Sequence, residues 1–268
     1  MLKDYSKLLN AMKYMSEVFV SVIMNCYNGE KYLHEAIDSV YAQTYKDWEI
    51  IFWDNVSTDN SALIAKSYDD KVKYYLAENN TPLYDARNKA IDKCNGEVVA
   101  FLDCDDIWVN DKLEKQIALY NEGNQFVYGR YELIDSGGKK IQKKLHQLKF
   151  GKVTNSLLIN NFISIGSVLI DIRLIRELKF NPDYNLIGDF DLWVRASMKT
   201  QFDFVDAIVE KSRQHNDNLS THLKNEWIIE ERMLYISLLH TCGVLNLPMV
   251  LVFILRSEIK SLIKRLLK

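Results

Sequence analysis

A chain of 268 residues with 48% hydrophobic and 26% charged residues has the composition of an ordinary globular protein, and it is long enough for one large domain. The formal net charge of -2 excludes an overall basic surface, so nucleic acid is not an expected partner. The four cysteines, Cys26, Cys94, Cys104 and Cys242, form no C-x-x-C pair, which predicts neither a zinc cluster nor a disulfide framework and fits a reducing cytosol. Residues 1–17 lack the apolar core of a signal peptide, so we expect a cytoplasmic protein.

The first half of the chain alternates between strand and helix patterns. Apolar runs predict strands over residues 19–24, 48–53, 72–76 and 97–102. Apolar residues at helical spacing predict helices over residues 30–43, 57–68, 83–94 and 112–122. Strands that alternate with helices of this length predict an α/β fold with a doubly wound, mostly parallel sheet.

The pattern becomes less regular after residue 123. We expect short strands over 126–135, a turn at Gly137-Gly138, a helix over 186–199 that begins with a Gly-Asp turn, and a strand over 202–213. Helices are expected from residue 218 onward.

The last residues have the pattern of an amphipathic helix. Residues 243–255 are nearly all apolar, but the run is too short for a spanning helix, which needs about 18 residues or more. Residues 256–268 carry a net charge of +4, so the rest of the chain carries about -6. Apolar residues near the end fall on one helical face, opposite the basic ones: Leu255, Ile259, Leu262, Ile263, Leu266 and Leu267. This pattern is typical of a helix in a membrane interface, and a helix packed on the domain or on a partner subunit is the alternative.

Three carboxylates follow the strand predicted over 97–102. They are Asp103, Asp105 and Asp106. In open α/β sheets, ligands bind outside the carboxyl ends of the strands, and Mg²⁺ is usually held by one or two carboxylates plus substrate phosphates. Three acids this close repel one another unless a cation neutralises them. The segment therefore predicts a site for a divalent cation and a phosphate-bearing ligand.

Six motifs in chain order resemble one known family. They are residues 20–33, Ala-Gln-Thr-Tyr at 42–45, Asp-Asn-Val-Ser-Thr-Asp at 54–59, Ala-Arg-Asn at 86–88, Phe-Leu-Asp-Cys-Asp-Asp at 101–106 and Gly-Asp-Phe-Asp-Leu-Trp at 188–193. Together they resemble a family 2 glycosyltransferase with the GT-A fold. The resemblance covers residues 18–220, and residues 221–268 would form a C-terminal helical extension.

The resemblance implies a nucleotide-sugar site, with a UDP-sugar as the preferred donor. Asp54 would accept the uracil N–H, and Tyr27 would line the base pocket together with its neighbours Cys26 and Asn28. Arg87 would lie near the donor phosphates or the acidic motif. Each has a simpler alternative: Asp54 as a helix cap, Tyr27 as a loop anchor and Arg87 as a structural ion pair.

The same resemblance assigns roles to the acids at 103–106. Asp103 would contact the ribose or the sugar, Asp105 would bind Mn²⁺ or Mg²⁺ directly, and Asp106 would support that metal site. The metal would neutralise the leaving diphosphate. His215, in the segment Arg-Gln-His-Asn-Asp-Asn-Leu-Ser at 213–220, would reach the diphosphate or complete the metal shell, and a purely structural loop histidine is the alternative.

The second acidic motif of the family is usually Glu-Asp, and here it reads Gly188-Asp189. Asp189 matches the general base of inverting members, which takes the proton from the acceptor hydroxyl. Asp191 is the reserve candidate, although an acid in the first turn of a helix is also stabilised by the helix dipole. The missing glutamate puts acceptor contacts in question.

The function implied is an inverting glycosyl transfer from a nucleotide-diphosphate sugar to a glycan or lipid-linked glycan. Cell-surface polysaccharide or lipopolysaccharide assembly, at the inner face of the cytoplasmic membrane, would be the setting. A nucleotidyltransferase is one alternative, but only Asn28-Gly29 stands where its Gly-rich loop would follow the first strand. A catalytically silent nucleotide-sugar-binding or assembly protein is another, kept open by Gly188. A dehydrogenase is disfavoured because no G-x-G-x-x-G follows the first strand.

Overall fold

The computed structural model describes residues 17–142, 147–216, 218 and 226–241, together with residues 248, 251, 252, 254, 255 and 258. The strands are β1 (Val20–Cys26), β2 (Trp48–Asp54), β3 (Val72–Leu76), β4 (Val98–Phe101), β5 (Ile107–Trp108), β6 (Phe126–Asp135), β7 (Lys140–Ile141), β8 (Leu169–Asp171) and β9 (Asp203–Gln214). The helices are α1 (Glu30–Tyr41), α2 (Ser61–Lys66), α3 (Leu83–Ile91), α4 (Lys112–Asn121), α5 (Thr154–Ile159), α6 (Ile172–Leu178), α7 (Gly188–Lys199) and α8 (Glu226–Thr241).

Within the described residues, the strands form one mixed sheet in the order β3-β2-β1-β4-β8-β6-β9-β5, with β7 paired to β6. The strands β3, β2, β1 and β4 pair in parallel, as the alternation of strands and helices predicts. The chain passes from β1 to β2 on one side and returns to β4 on the other, so the strand order reverses between β1 and β4. Such a reversal opens a crevice at the carboxyl ends of the strands, where ligands bind.

Helices cover both faces of the sheet. All seven residues of β2 are buried, and along β1 Val22 and Met24 pack in one hydrophobic core while Ile23 packs in the other. The first core includes apolar residues of α1 and α4, and the second includes those of α3, α6 and α7. Because alternate side chains of a strand point to opposite faces, a strand buried throughout requires helices on both sides. The doubly wound arrangement is confirmed.

Two elements differ from the sequence prediction. Residues 126–135 form one continuous strand instead of short ones, because β9 pairs with it in parallel from Val127 to Asp135 across a bulge. The helix expected over 57–68 begins only at Ser61. Asp54 and Asp59 accept the backbone N–H groups of Ser57 and Ser61, which holds the preceding residues as a loop.

Helix α8 packs against the core of the sheet domain. Its Leu234, Tyr235 and Leu238 are buried in the core that α3 and α7 share. The expected boundary between residues 220 and 221 and most of the helix expected over 243–268 lie outside the described residues. Where the structure describes the chain, no helix combines the length and apolar character needed to cross a membrane.

Candidate active site

The ends of five elements carry the predicted site residues. Cys26 ends β1, Asp54 ends β2 and the acidic segment 103–106 follows β4. From the second half of the chain, Asp189 is the second residue of α7 and His215 directly follows β9. The contacts between these groups place the acids of both halves of the chain at the switch point of the sheet.

The loops after β1 and β2 hold each other through hydrogen bonds. Asn28 donates its N–H to Ser57 Oγ at 3.1 Å, and its side-chain Oδ1 accepts the N–H of Thr58 at 2.8 Å. Glu30 accepts the N–H of Asn60 at 2.9 Å. The φ of Asn28 is 54°, a left-handed conformation that asparagine adopts more readily than most residues. Asn28 therefore organises the loop that carries Tyr27.

Asp54 and Tyr27 lie on either side of this junction with different exposure. Asp54 is buried, and its carboxylate accepts the N–H of Ser57 at 2.7 Å and the Tyr74 hydroxyl at 2.6 Å. Tyr27 is 58% exposed, although it directly follows a largely buried strand. The exposed ring is free of the core and suited to stacking on a flat ligand, whereas Asp54 already fixes its own loop.

Cys26 lies beneath the loop and not on its surface. It is buried beside Cys104, whose thiol lowers the pKa of Cys26 through a hydrogen bond. A Cβ at Gly29 would lie 2.9 Å from Cys26 Sγ and 3.0 Å from Cys104 Cβ, so only glycine fits there. The side chain of Cys26 therefore packs beneath the loop and supports it.

A buried ion pair holds the first acid of the cluster. Arg87, on α3, donates from Nη2 to Asp103 Oδ1 at 2.6 Å. The Arg87 side chain is 4% exposed, whereas that of Asp103 is 37% exposed. The ring of Phe180 also lies against the guanidinium, with 5.8 Å between Cζ and the ring centroid. Arg87 thus joins the acidic motif to α3, and Asp103 keeps access to solvent.

Asp105 contacts the segment that follows β9. Its Oδ2 lies 2.9 Å from His215 Nε2 and 3.2 Å from Asn218 Nδ2. The guanidinium of Arg213 donates from Nε to the backbone oxygen of Asp105 at 2.8 Å. Burial raises the pKa of Asp105, and the neighbouring Asp103 raises it further. Asp105, the acid most expected to bind a cation, is therefore held by His215 and Asn218 at its carboxylate and by Arg213 at its backbone oxygen.

Asp106 points into the interior, which corrects its place among the metal ligands. It is buried, and its Oδ1 accepts the backbone N–H of Arg213 at 2.7 Å. Burial raises the pKa of Asp106 well above its usual range, and the buried carboxyl of Glu210 adds to the rise. Among the described residues, no group of three or more metal-ligating side chains is preassembled.

Asp189 is half-buried next to α3. Its Oδ1 accepts its neighbour's backbone N–H, from Phe190, at 2.7 Å and lies 3.4 Å from the hydroxyl of Tyr84. Burial raises the pKa of Asp189 to about 6, although Arg87 lowers it. A carboxylate with a raised pKa in a cleft is suited to proton transfer near neutral pH.

Asp191 is placed elsewhere. Its carboxylate forms an ion pair with Arg195 at 2.6 Å, and that guanidinium also donates to the backbone oxygens of Leu178 and Lys179. The pair links α7 to α6. The structure thus brings together Asp103, Asp105, His215, Arg87 and Asp189, and it gives Asp191 a structural partner.

Several residues of the site were not singled out from the sequence. Glu230 of α8 is buried and accepts three consecutive backbone N–H groups, from Asn185, Leu186 and Ile187, at 2.7, 2.9 and 3.1 Å. It therefore fixes the loop directly before Asp189. Arg213 and Asn218 lie in the quoted segment 213–220, but its pattern does not show that they hold Asp105. The other missed residue is Tyr84, whose spacing from Arg87 on α3 places both on one helix face.

An α/β sheet with a switch point and acids from both halves of the chain is the arrangement in which such folds bind ligands. A family model described as glycosyl transferase family 2 matches residues 21–172, more than half of the chain. The chain belongs to this family, and its fold is the GT-A fold. This membership argues against the nucleotidyltransferase alternative.

Relatives of the chain carry glycosyltransferase names. WfgD of Escherichia coli, named a UDP-Glc:alpha-D-GlcNAc-diphosphoundecaprenol beta-1,3-glucosyltransferase, is 32% identical over 80% of this chain and 85% of its own length. TuaG of Bacillus subtilis, named for teichuronic acid biosynthesis, is 31% identical over 78% of this chain and 82% of its own. An uncharacterised glycosyltransferase of Rickettsia felis is 35% identical over 77% of this chain, which spans 36% of that longer protein.

Two solved structures share the fold at low sequence identity. TarS 1-349 of S. aureus in complex with UDP-GlcNAc has a TM-score of 0.67 at 19% identity and covers 82% of this chain and 66% of its own. The mannosyltransferase PcManGT of Pyrobaculum calidifontis, in complex with GDP-Man and Mn²⁺, has a TM-score of 0.62 at 17% identity, with 91% and 69% covered.

Removing either partner of the Arg87–Asp103 ion pair should lower stability, but by different amounts. Asp103→Asn removes the ion-pair partner of a buried guanidinium and should lower the free energy of unfolding by about 3 kcal/mol. Arg87→Met leaves a carboxylate that solvent reaches, so its cost should be about half as large. Urea unfolding of the two variants measures the difference.

The exposed pair Lys89–Asp85 on the same helix, at 2.9 Å, provides the matched control. Asp85→Asn should cost under about 0.5 kcal/mol. An Asp103→Asn variant as stable as Asp85→Asn would contradict the claim that the buried charge of Arg87 needs Asp103 as its partner.

Proposed function

We propose that the chain is an inverting glycosyltransferase that moves a sugar from a nucleotide-diphosphate donor to a hydroxyl of a cell-surface glycan precursor. The observation that carries the proposal is that two acidic residues, Asp103 and Asp189, both contact helix α3. Asp103 forms an ion pair with Arg87 of α3 at 2.6 Å. The carboxylate of Asp189 lies 3.4 Å from the hydroxyl of Tyr84, which is three residues before Arg87 on the same helix. Asp103 would face the sugar-nucleotide donor at the carboxyl ends of the strands, and Asp189 would act as the base.

In this mechanism Asp189 accepts the proton of the acceptor hydroxyl as that oxygen attacks the anomeric carbon. Its pKa of about 6 keeps it ionised at neutral pH and makes it a stronger base than an exposed aspartate. Phe190 N–H and Tyr84 O–H hold the carboxylate in place. Attack from the face opposite the leaving group inverts the anomeric configuration.

The donor would lie along the loops after β1, β2 and β4. Tyr27 is exposed for stacking on the base, and Asp54 marks the edge where the base ring would be recognised. A UDP-sugar is the first donor to test, because WfgD is named for UDP-Glc and the TarS structure holds UDP-GlcNAc. GDP-Man in PcManGT makes a GDP-sugar the second.

The side chains fit a divalent cation that is held largely by the donor. Asp105 and His215 offer a carboxylate and an imidazole 2.9 Å apart, and Asp103 is exposed beside them. A site with one or two carboxylates plus substrate phosphates is the usual arrangement for Mg²⁺. When bound, Mn²⁺ or Mg²⁺ would offset the charge of the leaving diphosphate. Asp106, turned inward, would support Asp105 through the shared contact with Arg213.

Replacing the base tests the proposal. Asp189→Asn should lower the rate of sugar transfer by about a thousandfold while the donor dissociation constant changes less than about twofold, because the amide cannot accept the proton. The measurements are transfer from UDP- and GDP-sugars to lipid-diphosphate-linked sugars and donor binding by calorimetry. In the unmodified enzyme, kcat/KM should fall as pH drops below about 6, since protonated Asp189 is inactive.

Asp191→Asn distinguishes the reserve candidate from the base. Loss of the ion pair with Arg195 should affect stability more than the chemical step. A larger loss of transfer in Asp191→Asn than in Asp189→Asn would reverse the assignment. Donor binding without transfer in the unmodified protein would instead support the catalytically silent alternative.

We further propose that the acceptor is presented at the inner face of the cytoplasmic membrane, against an apolar surface of the C-terminal region. Ile229, Met233 and Ile236 are exposed on one face of α8. Leu251 and Leu255 are also exposed. The net charge of +4 over residues 256–268 suits anionic lipid, and the name of WfgD includes a lipid-diphosphate acceptor.

Vesicle flotation tests the membrane surface. The double substitution of Leu251 and Leu255 by Asp should weaken binding to phosphatidylglycerol-containing vesicles at least about tenfold, because two exposed leucines that would insert into the lipid are lost. Leu63→Asp, on α2, is the matched control because Leu63 is 70% exposed. Equal binding by the double variant and the control would contradict the proposed surface.

A further inference from the structure

Gly188 lies where the resemblance predicts a glutamate, and the backbone does not explain the glycine. It is the first residue of α7, and the described glycines with positive φ are Gly123, Gly138 and Gly151. Any L-residue can adopt the conformation of Gly188. The reason for a glycine must therefore lie in the space around it.

The ring of Tyr84 occupies that space. A Cβ added at Gly188 would lie 2.5, 2.6 and 2.7 Å from Cδ2, Cε2 and Cγ of Tyr84, closer than real carbon atoms approach. The ring is fixed on its other sides. It stacks on Phe180 with 5.3 Å between centroids, and the guanidinium of Arg87 lies 5.4 Å from its centroid. Because Tyr84 is 2% exposed, it cannot swing into solvent to make room.

The hydroxyl of Tyr84 lies near the carboxylate of Asp189. The distance from Tyr84 Oη to Asp189 Oδ1 is 3.4 Å, and the Phe190 N–H reaches the same oxygen at 2.7 Å. A catalytic hydrogen bond is often long before substrate binds and shortens in the complex. Tyr84 therefore affects the position of Asp189 in two ways: its hydroxyl contacts the carboxylate, and its ring packs closely on Gly188, the preceding residue.

We propose that Tyr84 is the positioning residue of Asp189, and that Gly188 and Tyr84 are a coupled pair in which the ring takes the place of a side chain at residue 188. The inference rests on the proposed function for the role of Asp189 as base, but the coupling of the pair is a property of packing alone. Tyr84 orients the carboxylate and donates to it, whereas a side chain at residue 188 would displace the ring and with it the donor.

A double-mutant cycle on thermal stability tests the coupling without any activity. Gly188→Ala should lower Tm by about 5 °C, because one added carbon overpacks a rigid site. In the Tyr84→Ala background the same substitution should cost nothing, because the clash is gone. Gly137→Ala is the control glycine, since its nearest neighbour to an added Cβ is an Asp135 oxygen at 3.4 Å. An equal loss of Tm from Gly188→Ala in both backgrounds would overturn the coupled pair.

Tyr84→Phe keeps the ring and tests positioning of the base. We expect kcat to fall about tenfold with an unchanged donor KM, because a hydrogen bond to a charged group is lost at the chemical step. The acid limb of the pH profile should move to higher pH, since the Tyr84 hydroxyl lowers the pKa of Asp189. The other groups that act on Asp189 are Arg87, which lowers its pKa, Asp103, which raises it, and Phe190 N–H, which lowers it; all are retained in the variant.

A carbon-13 NMR titration of the Asp189 carboxyl measures the same shift without turnover. Its midpoint should be higher in Tyr84→Phe than in the unmodified protein. If both kcat and the titration midpoint are unchanged in Tyr84→Phe, Tyr84 only fills space and does not position Asp189. If the unmodified protein transfers no sugar but the cycle and the titration give the expected results, the proposed function fails while the positioning of Asp189 by Tyr84 stands.

Discussion

The guanidinium of Arg87 is the constraint on which the site depends. A crevice that collects Asp103, Asp105 and Asp189 at the carboxyl ends of the strands concentrates negative charge, and such a cluster is unstable without fixed cations. Arg87 is almost fully buried, pairs with Asp103 and lowers the pKa of Asp189. It comes from α3, so that one helix face connects the donor acids to the base. Arg213 holds the backbone of Asp105 from the other side, through a hydrogen bond from its Nε–H.

Much of the fold could be predicted because its signals are local. Runs of apolar residues bounded by turns mark the parallel strands, and acids directly after a strand must lie at the ligand edge. For that reason Asp103 and Asp105 could be singled out before their contacts were known, whereas Asp189 was indicated only by its match to the second acidic motif of the family. The direction of a side chain is not local. Nothing in the sequence around Asp106 shows that it points inward to the N–H of Arg213, 107 residues away.

The residues missed from the sequence share a physical cause. Tyr84 and Glu230 have no motif, because each acts by filling a shape or satisfying backbone groups that only the folded chain brings near. Glu230 accepts the N–H groups of a loop that is more than 40 residues away along the chain. The departure at Gly188 was the one available signal, since a glycine in an ordinary helical conformation indicates a neighbour that needs its space. Helix α8, expected as an appendage, is in this way tied to the base.

The central claim is that one crevice binds a nucleotide diphosphate and a cation at Asp105 while Asp189 faces the reacting sugar. A crystal structure with a UDP- or GDP-sugar and Mn²⁺, with data collected at the manganese edge, tests it most directly. The account predicts an anomalous peak bonded to Asp105 and the diphosphate, with the anomeric carbon between the phosphate and Asp189. A donor bound away from the carboxyl ends of β1 and β4, or a metal held without Asp105, would contradict it.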